Sequence, residues 1–175
     1  QVTAMRLAEK GARVVVTDIS EAGISDTINK IEEKGGKALG KRLDVSNSDD
    51  IDAAFAAAES WDKCVDVLVN NAGIVNIHSF LDYTAHDWHQ VMQVNLTGSF
   101  LCAQRAAREM AKQSYGRIIN MASVSGLRAG VGRTAYGTSK AAIIGLTRQI
   151  ALEMGPHGIT ANAIAPGPIM TPLVE

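Results

Sequence analysis

Tyr136 and Lys140 stand four residues apart, with no proline and no glycine pair between them. The run 135–154 reads as a helix, so phenol and amine share one face, a turn apart. A free phenol titrates at about 10 and is a poor acid–base catalyst at neutral pH. An ammonium held beside a phenol favours the phenolate and brings proton transfer toward working pH. Ser123 lies 13 residues before the tyrosine, where the apolar, strand-like run 117–122 ends. A strand end carrying a hydroxyl and a helix start carrying a phenol suit the movement of one proton on and off a carbonyl oxygen. Alone, Tyr-x-x-x-Lys is more often a solvated helix face. The serine spacing and the surrounding elements give the pair its chemical meaning.

Those elements alternate. Residues 1–10 carry a rough apolar helical stripe (Val2, Met5, Leu7, Ala8) stopped at Gly11. The β-branched run 13–17 reads as a buried parallel strand. A helix over 21–34 ends at Gly35-Gly36, and a second strand covers 37–45. Ser46 or Asn47 caps a third helix, whose acidic first turn (Asp49, Asp50, Asp52) suits the positive end of the helix dipole. A third strand covers 65–69 and runs into Asn70-Asn71-Ala72-Gly73, a tight turn where backbone can approach a ligand. Thr84 or Asp82 opens a long helix toward Lys112, interrupted by the poor helix formers Asn95, Thr97 and Gly98. The strand at 117–122, a glycine-bearing loop at 123–134, the Tyr-Lys helix and a fifth strand at 159–165 complete the order. Strand and helix alternating throughout predicts one α/β domain, a parallel sheet with helices on both faces.

Bulk properties narrow the function. The 175 residues suit one domain or most of one. A formal net charge of −1 gives no electrostatic reason to expect nucleic acid or an anionic membrane as partner. No apolar run approaches the ~18 residues of a bilayer-spanning helix. Cys64 and Cys102 lack metal-type spacing and read as buried or half-buried thiols, consistent with a reducing, cytoplasmic setting. His78, His86, His89 and His157 show no metal-like grouping and are expected at the surface, so no metal site is predicted.

Taken together, Ser123, Tyr136-x-x-x-Lys140, Asn70-Asn71-Ala72-Gly73, Asn95 in Val-Asn-Leu-Thr-Gly, and Pro166-Gly167-Pro168-Ile169-Met170-Thr171 resemble the short-chain dehydrogenase/reductase family, classical type. The resemblance runs over essentially the whole chain. It implies a Rossmann-like doubly wound fold and a dinucleotide-binding catalytic domain over residues 1–175. None of the 16 glycines precedes Gly11. By the family pattern, a first strand and glycine-rich turn would precede residue 1, and further helices and a strand would follow Glu175. Tyr-x-x-x-Lys speaks against the divergent enoyl reductases, and Asn-Asn-Ala-Gly against the extended epimerase-dehydratase branch.

The resemblance also assigns roles. Asp18, followed by Ile19, ends the first strand; its carboxylate would accept hydrogen bonds from the adenosine ribose and repel a 2′-phosphate. No Arg or Lys follows it immediately, so NAD is favoured over NADP. A cap for the following helix is the structural alternative. Asp44 and Val45 would line the adenine pocket, and Asn71, Ala72 and Gly73 would let backbone pack on adenosine. Pro166 and Gly167 would pack on the nicotinamide, while the Ile169 backbone and the Thr171 hydroxyl bind its carboxamide. Tyr136 would be the general acid/base, with Ser123 bonded to the substrate oxygen and Lys140 to the nicotinamide ribose. Asn95 would kink its helix and hold a water beside the lysine. Helices over 103–110 and 141–150 would form subunit interfaces of a homotetramer.

Substrate identity follows less directly. Ile77, His78, Ser125, Leu127, Val131, Arg133, Pro168 and Met170 would line a small pocket of mixed polarity. A sugar, polyol or other small secondary alcohol fits it best, interconverted with its ketone. A 3-oxoacyl-[acyl-carrier-protein] reductase is the alternative. Asp18 and the non-basic Ser114 and His157 count against it. A non-catalytic dinucleotide-binding protein on the same fold is the remaining possibility, since fold does not fix function.

Overall fold

The computed structural model describes residues 1–169. The chain divides into two compact units, Gln1–Cys64 and the residues from Val65 onward. In the first unit α1 (Val2–Glu9), β1 (Arg13–Asp18), α2 (Glu21–Glu32), β2 (Lys37–Arg42) and α3 (Ser48–Asp62) follow one another. β1 and β2 pair in parallel, with Arg13 opposite Lys37 and Asp18 opposite Arg42. α2 is the crossover, burying Ile24, Thr27 and Ile31. Its start is set by Ser20, whose hydroxyl accepts the Gly23 N–H at 3.1 Å. Asn47 caps α3, accepting from the Asp49 and Asp50 amides at 2.8 and 3.3 Å. The strand expected over 37–45 stops at Arg42. Asp44 turns the chain instead: its carboxylate takes the Ser46 N–H at 2.9 Å and the Ser46 hydroxyl at 2.6 Å. The edge of this unit is pinned by Arg13, which meets Asp62 at 2.6 Å and lies over the Trp61 ring.

The second unit runs β3 (Val67–Asn70), α4 (Ala85–Met92), α5 (Ser99–Lys112), β4 (Gly116–Met121), α6 (Thr134–Met154) and β5 (Ile159–Ile164). The strands are parallel in the order β3-β4-β5. α5 and α6 pack on β4 and against each other. Val91, Met110, Ile118, Ile143 and Ile159 are almost fully buried in this core, each contributing roughly 2 kcal/mol of apolar burial. Thr84 caps α4 through the Asp87 N–H at 3.1 Å. The single helix expected to reach Lys112 is instead two α-helices joined by a π-helical turn, Gln93–Gly98. Extra-residue turns of this kind are frequent at functional sites.

A polar chain crosses the core and fixes the register of its layers. Asn70 at the end of β3 donates to the Ser99 carbonyl at 3.0 Å and to Asn120 Oδ1 at 2.9 Å. Asn120 on β4, fully buried, donates to Thr147 Oγ1 on α6 at 2.9 Å. Thr147 passes its own proton to the Ile143 carbonyl at 2.7 Å. Each buried amide therefore finds partners, and β3, β4, α5 and α6 are tied at one height.

Candidate active site

The site is assembled at the carboxyl ends of the strands in the second unit, where ligands bind in open α/β sheets. β4 delivers Ser123 just past Met121. The residue is buried, and its Oγ accepts the Ser125 N–H at 3.1 Å, which closes a short 3₁₀ turn, Val124–Gly126. That turn lies against the first turns of α6 because two glycines permit it. A Cβ on Gly126 would sit 2.6–2.8 Å from the Lys140 and Ala141 backbone, and one on Gly137 would sit 3.0 Å from the Ser125 carbonyl. The serine turn and the helix bearing Tyr136 and Lys140 are thus in backbone contact.

Lys140 points inward. It is 5% exposed, and its Nζ donates to the Met121 carbonyl at 2.7 Å and stands 5.7 Å from the centre of the Tyr136 ring. Burial pulls the ammonium down from its usual 10.5 to about 8. Tyr136 itself is half-buried. Behind it, Ser139 is fully buried; its hydroxyl donates to the Tyr136 carbonyl at 2.7 Å and accepts from Asn95 Nδ2 at 3.1 Å.

Asn95 is a core residue, 1% exposed, in the π-helical turn. Its amide clasps Ile74, taking the N–H at 2.8 Å and giving to the carbonyl at 3.0 Å. This two-sided grip fixes the chain just after Asn71, Ala72 and Gly73. Gly73 is the point of closest approach: a Cβ there would meet Asn95 Oδ1 at 3.3 Å and Lys140 Nζ at 3.5 Å. Asn71 and Ala72 are exposed beside it.

The last strand adds the remaining wall. Beyond β5 the pairing with β4 continues, Ala122 N–H to the Ile164 carbonyl at 2.8 Å and Val124 N–H to the Pro166 carbonyl at 3.0 Å. Pro166 is therefore fixed beside the serine turn, with Gly167, Pro168 and Ile169 exposed after it. Met170 and Thr171 lie outside the described residues.

In the first unit, Asp18 and Ile19 are exposed at the end of β1. Asp18 Oδ1 accepts the Ser20 N–H at 2.9 Å, so the carboxylate also serves the helix start that was its structural alternative. Asp44 and Val45 are half-buried after β2. The Ser46 hydroxyl and then the Ser46 N–H hold the Asp44 carboxyl below the usual carboxylate range.

Several structural members of the site carried no sequence signal that singled them out: Met121 as carbonyl partner of the lysine, Ser139, and Asn120 and Thr147, which continue the chain from Asn70. Among the described residues no group of three or more His, Cys, Asp or Glu could hold a metal ion. His86, His89 and His157 are exposed. Cys102 is buried and its thiol is pushed up to about 11 by burial, a packing residue, not a nucleophile. No helix among the described residues is long and apolar enough to cross a membrane.

The fold agrees with comparison to known proteins. The short chain dehydrogenase family model matches residues 1–175, and the chain belongs to that family. It is 43% identical over 173 residues to the short-chain reductase protein NovJ of Streptomyces niveus, covering 99% of this chain and 66% of that one. It is 40% identical over 169 residues to the 3-oxoacyl-[acyl-carrier-protein] reductase FabG of Aquifex aeolicus, covering 96% and 68%. Among solved structures, NAD⁺-bound xylitol dehydrogenase superposes with a TM-score of 0.92 at 36% identity, over 94% of this chain and 64% of that one. Levodione reductase gives 0.95 at 35% identity, over 98% and 68%. The chain thus spans about two thirds of the length of these relatives. The fold is Rossmann-like, with parallel sheets flanked by helices.

Proposed function

We propose that the protein is an NAD-dependent oxidoreductase acting on CH–OH groups, interconverting a small secondary alcohol, such as a sugar or polyol, and its ketone. The observation that carries this reading is the buried Lys140 ammonium, fixed on the Met121 carbonyl beside the Tyr136 ring. The residues fit a nicotinamide dinucleotide. Lys140 spends one of its three donors on Met121, leaving two for ribose hydroxyls. Gly73 offers no side chain between it and a ligand, and Gly167 has open space around its Cα. Asp18 presents an exposed carboxylate of the kind that bonds ribose hydroxyls and repels a 2′-phosphate. The bound nicotinamide supplies or takes up the hydride.

The chain's own residues handle the proton and the positioning. In the reductive direction Tyr136 gives its phenolic proton to the substrate oxygen, and Ser123 hydrogen-bonds that oxygen. Lys140 stabilises the phenolate left behind and holds the ribose. Asn95 keeps the 71–74 turn in place, and in this reading it also carries the water that links the lysine to solvent. The reading assigns residues 1–175 to one dinucleotide-binding catalytic domain, in a cytoplasmic homotetramer. Phe100 on α5 and Leu152 on α6, both exposed, support an interface along those helices. A monomer in sedimentation velocity would remove the tetramer.

A second reading, 3-oxoacyl-[acyl-carrier-protein] reductase, is favoured by relatives bearing that name at 38% and 40% identity. Ser114 and His157 stand where basic residues would meet an acidic carrier, and Asp18 disfavours NADPH, so it ranks second. The test is loss of NADH absorbance by the full-length protein with a panel of ketones and 3-oxoacyl thioesters, repeated with NADPH and with polyols plus NAD. Turnover of ketones with NADH supports the first reading. Turnover of thioesters alone, with NADPH, replaces it by the second, and no turnover in either direction leaves only a dinucleotide-binding protein.

A further inference from the structure

We infer that the substrate is a hydroxy acid or keto acid, and that Arg133 is the residue that recognises its carboxylate. The inference rests on the oxidoreductase reading and deepens it. Arg133 immediately precedes α6, three residues before Tyr136, so it stands about one turn from the phenol. Its guanidinium donates to the Ser125 hydroxyl at 3.4 Å, and the Ser125 N–H is bonded to Ser123 Oγ. The guanidinium is therefore linked, through Ser125, to the hydroxyl assigned to the reacting oxygen.

Two further observations single it out. First, the guanidinium's one polar partner among the described residues is that neutral hydroxyl, at a long distance; no ion pair of the described residues includes Arg133. Arg13 and Arg42, by contrast, meet the carboxylates of Asp62 and Asp50. Second, the loop that carries it is held in place and bears apolar side chains. Leu127 and Val131 are exposed on the same loop, and Ile77 is brought to that loop by the His78 N–H bond to the Gly132 carbonyl at 3.1 Å. An arginine fork at the edge of an apolar rim matches a carboxylate, which it binds through two parallel N–H donors. With the ketone oxygen on Ser123 and Tyr136, a carboxylate a few bonds away reaches Arg133. The reaction stays balanced as before: the carbonyl carbon gains a hydride, its oxygen gains the Tyr136 proton, and the cofactor is oxidised.

The test uses the full-length protein and matched pairs: acetoacetate or a longer 3-keto acid against its methyl ester, with NADH. Wild type favours the acid in kcat/KM by about 10- to 100-fold, the range of a charged hydrogen-bonded pair. In Arg133→Ala the acid-to-ester ratio falls toward one, through KM for the acid; Arg133→Lys keeps part of it. Arg128→Ala on the same loop controls for general positive charge and leaves the ratio within about threefold. An equal loss in Arg128→Ala, or a ratio in Arg133→Ala equal to wild type, overturns the assignment. Turnover of the ester without preference for the acid overturns this inference alone, whereas no turnover of any ketone overturns the oxidoreductase reading with it.

Discussion

The strand ends of the two units solve different problems with different means. After β4, the reactive groups are buried or half-buried and cross-braced. Lys140 sits on the Met121 carbonyl, Ser139 holds the Tyr136 backbone, and Asn95 grips Ile74. After β1 and β2, the carboxylates of Asp18 and Asp44 are bonded, among the described residues, to Ser20 and Ser46 of their own turns, and Asp18 is exposed. A proton-transfer centre needs its groups held to within a fraction of an ångström, which packing from several elements supplies. A carboxylate that selects between two cofactors needs only its charge and a rough position. The difference predicts that substitutions after β4 act on rate and stability together, whereas those after β1 act on selectivity alone.

The largest expected effect is at Tyr136. Tyr136→Phe keeps the ring that half-fills its place and removes only the proton donor. kcat should drop about 1,000-fold or more, in the upper range for loss of a general acid, while dinucleotide affinity measured by fluorescence titration changes little. Near-normal turnover in this variant would sink the assignment of Tyr136 and, with it, the contrast between the two regions.

Lys140 should combine rate and stability in one variant. Lys140→Met abolishes phenolate stabilisation and should cost a similar factor in kcat. Its effect on stability depends on pH, and the sign follows from burial. Below pH 8 both folded and unfolded chains carry the ammonium, so the folded protein bears the full penalty of a buried charge. Between pH 8 and 10.5 the folded lysine has lost its proton and the unfolded one has not. The unfolded state then binds more protons, and wild-type stability rises with pH through that window, by roughly 3 kcal/mol. The methionine variant lacks this rise. Urea denaturation at pH 7 and pH 10 should show wild type gaining on Lys140→Met; a pH-independent difference would mean the lysine is not buried as described.

Much of this was legible in the sequence because it is local. The helix caps Asn47 and Thr84, each one of two candidates, and the five parallel strands follow from patterns a few residues long, whereas the cap of α2 is Ser20 and not Asp18 alone. Tyr136 and Lys140 share a face by helix period alone. The break in the long helix was half-legible: Asn95, Thr97 and Gly98 marked a weak point, but its π form depends on partners at Ile74 and Ser139, 21 and 44 residues away. Asn120 and Thr147, the partners that carry the chain on from Asn70, were illegible for the same reason, since each alone looks like a surface polar residue. The end of β2 was misjudged because Leu43 and Val45 continue an apolar alternation that the Asp44 side chain interrupts by bonding Ser46.

The smallest effect is also the sharpest probe of the comparison. Asp18 does two things, and Asp18→Asn separates them. Asparagine keeps the side-chain oxygen that accepts the Ser20 N–H, so the start of α2 is preserved and the melting temperature should stay within about 2 °C, as for other surface changes. What it removes is the negative charge that would repel a 2′-phosphate. Two unit charges a few ångströms apart near a protein surface interact by about 1 to 4 kcal/mol, and solvent at an exposed site reduces this toward the lower value. The ratio of kcat/KM for NADPH over NADH should therefore rise by about 10-fold, with kcat at saturating cofactor little changed. A collapse of stability would mean that Asp18 serves the helix first and the cofactor not at all. An unchanged ratio with a sound fold would move cofactor selection away from β1 and leave the exposed strand end without the role that distinguishes it from the braced one.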